Sequence, residues 1–245
     1  MSGFVIPTTL PTSNGNGNGN GNGHANLPTI AGQVVDPEAV SAEVEAMTAE
    51  EAIAWAFERF HPDLRFAVSF QKTSSVLVDM ALAIEPSARF FYVDTGLLFP
   101  ETYATRDALA ERYEVEFERV ADGPAQLDPD GCCAERKVEL MREALDEPSC
   151  WVSGIRRVDS ETRADAPRFG WDERFGLWKL NPLVDWDERR VWSYIKDQRV
   201  PYNTLHDQGY PSIGCMPCTT VALEGAGERA GRWAGTDRTE CGIHG

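Results

Sequence analysis

Three short apolar segments that alternate with helical segments constrain the fold of this chain more than any other feature. The segments 65–70, 89–94 and 115–120 are each apolar and bounded by polar turns, as buried strands are. Residues 76–84 and 101–113 lie between them and have helical patterns. Strands that alternate with helices at this spacing form a parallel sheet with right-handed crossovers. The sequence therefore predicts an α/β fold, with a parallel sheet flanked by helices.

Further elements extend this pattern toward both ends. A first helix is expected near Pro37, and Thr48 with Glu51 three residues later has the spacing of a capping box at the start of a second helix. Beyond the third strand, we expect helices at 132–145 and from Asp185 onward, and strands at 150–155 and 177–180. These elements are too few for a second core.

Composition divides the chain into three parts. Residues 1–35 carry an Asn-Gly alternation and almost nothing apolar to bury, which predicts a disordered tail. Residues 36–224 hold the alternating elements and are predicted to form one α/β domain that binds a nucleotide and a metal group. Residues 225–245 are rich in glycine, so we expect a flexible C-terminal segment that closes over a cleft.

The charge balance limits the partners of the chain. Against 23 lysines and arginines stand 39 acidic residues, a formal net charge of −16, which argues against nucleic acid and anionic membrane surfaces. The sequence has no apolar run that could span a bilayer. The first basic residue is Arg59, so no secretory or mitochondrial leader is predicted and the expected location is the cytoplasm. An anionic ligand therefore requires a local basic pocket.

Two loops follow predicted strands at their carboxyl ends, where parallel sheets bind ligands. The first, SFQKTSS, contains Ser69 and Lys72 and leads into a helix whose first amides can hold phosphate or sulfate. It lacks the glycines of a Walker loop, so a solvated turn is the alternative. The second contains Asp94, Thr95 and Gly96, which either contact a nucleotide or form a turn that only caps the next helix.

A third candidate site follows the predicted strand at 150–155. Gly154 is followed by three arginines within eight residues, Arg156, Arg157 and Arg163. An arginine binds two oxygens of a phosphate or sulfate at once, which a lysine cannot match. The alternative is that some of these arginines pair with nearby acidic residues on the surface.

Four of the six cysteines form two pairs with the spacing of metal or redox sites. The pairs are Cys132-Cys133 and Cys215-x-x-Cys218. Adjacent cysteines point in different directions, which suits separate irons of an iron-sulfur cluster better than one tetrahedral ion, although zinc stays open. A strained vicinal disulfide is disfavoured in a reducing compartment. Cys150, in an apolar strand, is interpreted as a buried structural residue.

Cys241 lies near the carboxyl end in the sequence ECGIH, on a polar segment that is poorly suited to a core. A thiol in such a place is reactive, regulatory or incidental. The glycines before it would let the segment swing over a cleft and bring Arg229 and Arg232 with it. The residues alone leave these three roles of Cys241 open.

These motifs together resemble those of one family. The resemblance is carried by the double cysteine with the basic pair after it, the Cys-x-x-Cys motif and the terminal ECGIH motif, which are Cys132, Cys133, Arg136, Lys137, Cys215, Cys218 and 240–244. In this combination, most of residues 50–245 resembles the assimilatory adenylyl-sulfate (APS) reductases of bacteria. Related reductases of the 3′-phosphorylated substrate (PAPS) usually lack the four cluster cysteines, so APS is the better match and PAPS the alternative.

The resemblance implies a fold, a cofactor and a reaction. The fold is that of the adenine nucleotide hydrolases, and the cofactor is a [4Fe-4S] cluster on the four paired cysteines. The reaction is the reduction of APS to sulfite with release of AMP, through an S-sulfocysteine intermediate. No thioredoxin-like domain follows in this sequence, so the expected reductant is external thioredoxin. The expected partners are therefore thioredoxin and the small molecule APS, with a homo-oligomer left open.

The resemblance also implies roles for single residues. Cys241 is the expected nucleophile, and Lys137 is expected between the cluster and the substrate. The side chains expected to hold phosphate and sulfate are those of Arg163, Arg229 and Arg232. The other residues expected to bind the substrate are Ser69, Lys72, Asp94, Thr95, Gly96, Gly154 and His244.

The chain departs from the family pattern at two places, and two other functions are weighed beside it. The loop SFQKTSS differs from the glycine-containing versions of the family, and the stretch 233–239 lacks the familiar tryptophan run. One other function is an ATP-cleaving adenylating or thiolating enzyme of the same fold with structural zinc. The other is a non-catalytic iron-sulfur redox sensor that binds a partner protein.

Overall fold

The computed structural model of this chain describes residues 28–121, 134–223, 225, 227–236, 238 and 240–244. Its strands are β1 (Thr29–Ile30), β2 (Gln33–Val34), β3 (Leu64–Ala67), β4 (Arg89–Val93), β5 (Phe117–Val120), β6 (Cys150–Val152), β7 (Phe169–Asp172) and β8 (Leu177–Leu180). The first two form a hairpin, and the other six form one sheet in the order β5-β4-β3-β6-β8-β7. All neighbours in this sheet are parallel except β7, which pairs antiparallel with β8 at the edge.

Helices cover the sheet. They are α1 (Pro37–Glu45), α2 (Ala49–Phe60), α3 (Lys72–Ile84), α4 (Pro100–Tyr113), α5 (Ala134–Ala144) and α6 (Glu188–Gln198), with short 3₁₀ turns at Arg157–Asp159, Glu161–Arg163, Thr204–Gln208 and Met216–Cys218. Helix α5 packs on β4 and β5, whereas α3 packs against α2, α4 and α6. None of the helices in the described part of the chain has the length and apolar character needed to cross a bilayer.

Two apolar clusters lie on opposite faces of the sheet. Side chains alternate along β4, so Phe90 belongs to the larger cluster while Phe91 packs with residues of α5. In the larger cluster, the fully buried ring of Phe66 lies 5.6 Å from the ring of Phe57 and 5.3 Å from that of Phe90. A sheet packed on both faces forms a fixed base for the loops at its strand ends.

The predicted fold class is confirmed, and the predicted elements differ mainly at their ends. The capping box is present, since Glu51 N–H donates to Thr48 Oγ1 at 3.2 Å and Thr48 N–H donates to the Glu51 carboxylate at 2.8 Å. Strand β3 ends at Ala67, and α3 begins at Lys72 rather than at residue 76. Most of the predicted loop SFQKTSS is therefore the first turn of a helix. The last helix begins at Glu188, three residues after the predicted start at Asp185, and its cap is Asp187.

Two strand pairs were not predicted. The hairpin β1–β2 lies inside the segment predicted as a disordered tail, and the Trp178 indole N–H donates to the Thr29 carbonyl at 2.8 Å. The prediction is thus wrong for residues 28–35, while residues 1–27 lie outside the described part of the chain. Strand β7 was also missed, because its sequence FGWD has little strand pattern and depends on pairing with β8.

Candidate functional site

A cavity of about 180 Å³ lies at the carboxyl ends of the parallel strands. Its wall is formed by the loops after β3 and β6, one side of α5 and the C-terminal segment. The predicted site residues that line it are Ser69, Lys72, Lys137, Gly154, Arg163, Arg229, Arg232, Cys241 and His244. The cavity therefore lies where parallel sheets bind ligands.

Positive charge is concentrated in the wall of this cavity. Its cationic side chains are those of Lys72, Lys137, Arg156, Arg163, Arg229 and Arg232. Its carboxylates are those of Asp159 and Glu228, and Glu188 and Glu240 contact the same cations. In a chain with a formal net charge of −16, this is the local basic pocket that an anionic ligand requires.

Lys72, at the start of α3, is held by other parts of the protein. Its Nζ donates to Glu188 at 2.6 Å, to Glu228 at 2.9 Å and to the Pro211 carbonyl at 3.1 Å. Its backbone N–H donates to Nε2 of His206 at 3.3 Å. Because these bonds use all three donors of the ammonium and the first amide of the helix, the geometry argues against the predicted direct binding of an anion by Lys72.

His206 is a half-buried part of this arrangement that the sequence did not reveal. Burial, followed by the charge of Lys72, lowers the pKa of His206 to about 4, so the ring is neutral. Its Nδ1 donates to the Tyr210 carbonyl at 2.7 Å, which leaves Nε2 as the acceptor for Lys72. His206 therefore fixes the start of α3 at the cavity.

Glu188 and Glu228 join Lys72 to the buried guanidinium of Arg156. Arg156 donates to Glu188 at 3.0 Å and to Glu228 at 3.3 Å. Burial alone raises the pKa of Glu188, but the hydrogen bond and charge of Lys72 and the charge of Arg156 outweigh it and hold that pKa below its ordinary value. This network of carboxylates neutralises the two cations.

Arg163 and Arg229 hold the carboxylate of Glu240, the residue before Cys241. Arg163 donates from Nε at 2.9 Å and from Nη2 at 2.8 Å, and Arg229 donates from Nη2 at 3.0 Å. The hydroxyls of Ser160 and Thr162 lie 3.4 and 3.3 Å from the same carboxylate. Burial, then the neighbouring Arg163, lowers the pKa of Arg229 to about 10. This cluster of donors binds an anion, and in this structure the anion is the protein's own carboxylate.

Arg232 reaches the cavity across a glycine. The guanidinium lies where a side chain at Gly214 would be, so only glycine leaves room for it. Its Nε donates to the Cys218 carbonyl at 3.3 Å and its Nη1 donates to Ser212 Oγ at 3.3 Å. The ring of Trp233 lies 4.4 Å from the guanidinium carbon. These contacts fix the direction of the Arg232 side chain, which has no carboxylate partner in the part of the chain that the structure describes.

The C-terminal segment closes one side of the cavity with Cys241 and His244. Cys241 is half-buried and packs against the cluster of Cys215, Cys218 and Trp233. His244 is half-buried, and its removal from water followed by the charge of Lys179 lowers its pKa well below the ordinary value. A thiol thus lies in the same cavity wall as the arginines, an arrangement suited to attack on an anionic group.

Comparison with known proteins decides the family. Residues 63–221 match the phosphoadenosine phosphosulfate reductase domain. This chain belongs to the phosphoadenosine phosphosulfate reductase family. Two relatives named adenosine 5′-phosphosulfate reductase are similar over most of its length. The one from Salinibacter ruber is 39% identical over 84% of this chain and 87% of its own. The one from Staphylococcus epidermidis is 40% identical over 82% and 88%.

Solved structures agree with the family and the fold. The phosphoadenylyl-sulfate reductase of Candida auris, determined as a phosphate complex, superposes with a TM-score of 0.63 at 26% identity and covers 75% of this chain and 95% of its own. The FMN adenylyltransferase of Candida glabrata reaches a TM-score of 0.58 at 18% identity, covering 78% and 70%. The second likeness shows the fold alone. The adenine-nucleotide-hydrolase-like fold predicted from the family resemblance is confirmed.

Asp94, Thr95 and Gly96 are not among the residues that line this cavity, and their contact with a nucleotide stays a prediction. The Asp94 carboxylate accepts from Gly96 N–H at 2.8 Å, from the Tyr103 hydroxyl at 2.7 Å and from Arg119 Nε at 2.6 Å. Burial alone raises the pKa of Asp94, but these bonds outweigh it and hold the pKa below its ordinary value. The carboxylate therefore fixes its own turn, which was the alternative interpretation.

The four paired cysteines are described in part. Cys215 and Cys218 are buried on the 3₁₀ turn at Met216–Cys218, and Cys215 Sγ lies 3.2 Å from Thr95 Oγ1. Cys132 and Cys133 lie outside the described residues, within which no group of three or more metal-ligating side chains is found. Two buried thiols on one turn fit one side of a thiolate-bound iron-sulfur group. Cys150 is fully buried and burial raises its pKa, as a structural residue requires.

Several residues at the cavity belong to no motif that could be recognised in the sequence. Glu188 looks like an ordinary acidic residue in the first turn of α6, and Glu228 lies in the glycine-rich segment. Their pairing with Lys72 joins residues more than a hundred positions apart. Lys179 does stand out in the sequence, because lysine is rarely buried and here it interrupts the apolar strand LWKL.

Proposed function

We propose that this chain is a thiol-dependent reductase of adenosine 5′-phosphosulfate that releases sulfite and AMP. One observation carries the proposal, which is that Cys241 shares the cavity wall with Arg163, Arg229, Arg232 and Lys137. This cavity lies where nucleotides bind in folds with parallel sheets. The relatives named adenosine 5′-phosphosulfate reductase favour this substrate over its 3′-phosphorylated form.

The first step of the proposed reaction is attack by the Cys241 thiolate on the sulfur of the sulfate group. A bond forms between Cys241 Sγ and that sulfur, and the bond from sulfur to the bridging oxygen breaks. Its electron pair stays on the oxygen, so AMP leaves as an anion. Arg163, Arg229 and Arg232 would neutralise the sulfate oxygens and the departing phosphate, which otherwise repel an incoming thiolate. The product is an S-sulfocysteine at position 241.

The second step requires an external dithiol, for which we propose thioredoxin. A thiolate of the dithiol attacks Cys241 Sγ, and sulfite leaves with the electron pair of the sulfur–sulfur bond. The second thiol of the partner then reduces the mixed disulfide, which restores the Cys241 thiol and leaves the partner oxidised. Because every step needs reduced thiols, we place the reaction in the cytoplasm.

Four cysteines would hold a [4Fe-4S] cluster, namely Cys132, Cys133, Cys215 and Cys218. When bound, such a cluster supplies redox-active iron and a concentrated charge near its ligands. Cys241 packs against the apolar group of Cys215, Cys218 and Trp233, so two of the residues that would hold such a cluster lie beside the reacting thiol. The protein's own part is to keep the thiol, the arginines and the buried turn together.

Intact mass spectrometry tests the proposal. Anaerobically purified protein is mixed with adenosine 5′-phosphosulfate or with its 3′-phosphorylated form, before any dithiol is added. We expect a mass gain of one SO₃ group at Cys241 with the first nucleotide, and sulfite release once thioredoxin is supplied. The Cys241→Ser variant should bind AMP as before and gain no mass. Wild-type protein that never gains this mass would overturn the proposal.

A further inference from the structure

A half-buried lysine that the proposed reaction does not use lies behind the cavity. Lys179 is on β8, and its strand neighbour in the parallel pair of β6 and β8 is Trp151. The Lys179 side chain is 15% exposed, and its Nζ lies 4.6 Å from the centre of the Trp151 ring and 3.8 Å from the Asp172 carboxylate. Removal from water lowers the pKa of Lys179 to about 8, so the ammonium form, which dominates below that pH, is costly here and calls for a partner that gains from it.

That partner is His244 of the C-terminal segment. The His244 ring is stacked on Trp151, with 5.7 Å between ring centres and 8° between ring planes. Its Nδ1 lies 3.3 Å from Lys179 Nζ. Burial and the neighbouring cations lower the pKa of His244 well below its ordinary value, so the ring is neutral and Nδ1 accepts the hydrogen bond from the lysine.

The segment between Glu240 and His244 is held at both ends, with Cys241 between them. Glu240 is bound by arginines at one end, as described above. At the other end, Ile243 packs into the apolar cluster of α5 and the sheet. Gly242 has a φ of +83°, a conformation that favours glycine and turns the chain from the thiol toward this cluster. The position of Cys241 in the cavity wall therefore depends on where His244 is bound.

We propose that Trp151 and Lys179 form a seat for His244 that positions Cys241 over the cavity. They are positioning residues, since they act on the thiol through His244 and the chain between. The stack with Trp151 sets the plane of the ring, and the hydrogen bond from Lys179 sets its rotation and its tautomer, with the proton on Nε2. The inference rests on the proposed function, in which Cys241 is the nucleophile.

The substitution Lys179→Met tests the seat, because methionine keeps the length of the buried side chain and removes its charge and donor. Three quantities are measured anaerobically. They are the labelling rate of Cys241 in the ligand-free protein by peptide mapping, the rate of sulfonate transfer in a single turnover, and the affinity for AMP. We expect about ten-fold faster labelling and about ten-fold slower transfer, the effect of losing one charge-assisted hydrogen bond. AMP affinity should be unchanged, since Lys179 does not line the cavity and is not one of the arginines assigned to the phosphate.

The matched control is Lys196→Met, at an exposed lysine of α6, which should change none of the three quantities. A double-mutant cycle with His244→Ala separates positioning from general destabilisation. His244→Ala alone should speed labelling as Lys179→Met does, and adding Lys179→Met should then have no further effect. A labelling rate unchanged by Lys179→Met, or an effect that persists beside His244→Ala, would overturn the seat.

Failure of the seat and failure of the proposed function are distinguishable. The labelling measurement needs no nucleotide, so it reports on the seat even if wild-type protein never accepts a sulfonate. If wild-type protein accepts the sulfonate and Lys179→Met accepts it equally fast with unchanged labelling, the function stands and the seat is wrong.

Discussion

The two sides of the cavity are held in place by different kinds of interaction. On the sheet side, each loop begins with a backbone hydrogen bond to a neighbouring strand. Val68 N–H donates to the Phe91 carbonyl at 2.9 Å, and Ser153 N–H donates to the Leu180 carbonyl at 2.9 Å. These bonds belong to a sheet that is packed on both faces, so they open only when the core opens.

On the C-terminal side, contacts of side chains keep most of the segment in place. In the segment 240–244, Glu240 accepts hydrogen bonds from arginines and Ile243 packs into an apolar cluster. His244 stacks on Trp151 and accepts a hydrogen bond from Lys179. Such contacts depend on pH, on salt and on competing anions, whereas backbone bonds within a packed sheet do not. The difference indicates that the sheet side fixes the cavity and the C-terminal side controls access to the thiol.

The largest effect should come from the sheet side. Phe66→Ala removes a fully buried ring from the larger cluster, so we expect the free energy of unfolding to fall by about 3–5 kcal/mol. Urea denaturation measures it. Glu240→Gln is the comparison on the C-terminal side and should lower that free energy by less, about 1–2 kcal/mol, because the amide keeps part of the hydrogen bonding to Arg163 and Arg229. Equal losses in the two variants would mean that the C-terminal segment belongs to the core.

Arg163 connects the two sides, so its loss should affect the chemistry rather than the fold. Arg163→Met removes a donor from the anion site, and we expect sulfonate transfer to Cys241 to slow about 100-fold in a single turnover. Arg157→Met is the matched control, because Arg157 lies in the same segment and pairs with Glu45 instead. A control variant as slow as Arg163→Met would assign the effect to the segment and not to the anion site.

Glu240 occupies donors that the proposed function assigns to the substrate, so removing its charge should favour a free anion. For Glu240→Gln we expect inorganic sulfate to bind about ten-fold more tightly, a gain of the size of one charge-assisted contact. Calorimetric titration at constant ionic strength measures this affinity. Glu118→Gln, which breaks the pair of Glu118 with Arg65, should leave it unchanged. Weaker binding in Glu240→Gln would show that Glu240 and sulfate do not compete.

The smallest expected effect is a pH dependence of the binding of the C-terminal segment 240–244, called the C-terminal tail below. The charged groups that act on His244 are the cations Lys179, Arg163, Arg229 and Lys137, and with burial they keep its pKa low in the bound tail. A released tail has an ordinary histidine, which binds a proton below pH 6.5. The contribution of His244 to the stability of the bound state is therefore complete above that pH and is lost as the pH falls, by at most about ten-fold in population per pH unit.

Labelling of Cys241 with a dithiodipyridine between pH 5 and 8, a range chosen around the ordinary histidine pKa of about 6.5, checks this dependence. The His244→Gln variant provides the reference at each pH, since both proteins share the ionisation of the thiol. The ratio of the two labelling rates should be flat at high pH and change below about pH 6.5. A ratio that stays flat throughout would mean that binding of the segment 240–244 does not lower the pKa of His244.

Local patterns explain why much of the fold was predictable. The alternation of apolar strands and amphipathic helices, and the capping box at Thr48 and Glu51, depend on residues close in sequence. The family motifs around Cys215 and Cys241 were equally local. The hairpin at Thr29 and the edge strand at Phe169 were missed because each needs a distant partner, Trp178 for the first and β8 for the second.

The sequence by itself determined the fold class, the family motifs and the need for a basic pocket in an acidic chain. The tertiary structure alone decided which cations serve that pocket. Lys72 meets Glu228, 156 positions away, and Arg163 meets Glu240, 77 positions away. A charged side chain shows its type in the sequence, but its interactions depend on which carboxylates the folded chain brings within a few ångströms, because Coulomb energy depends on distance and burial.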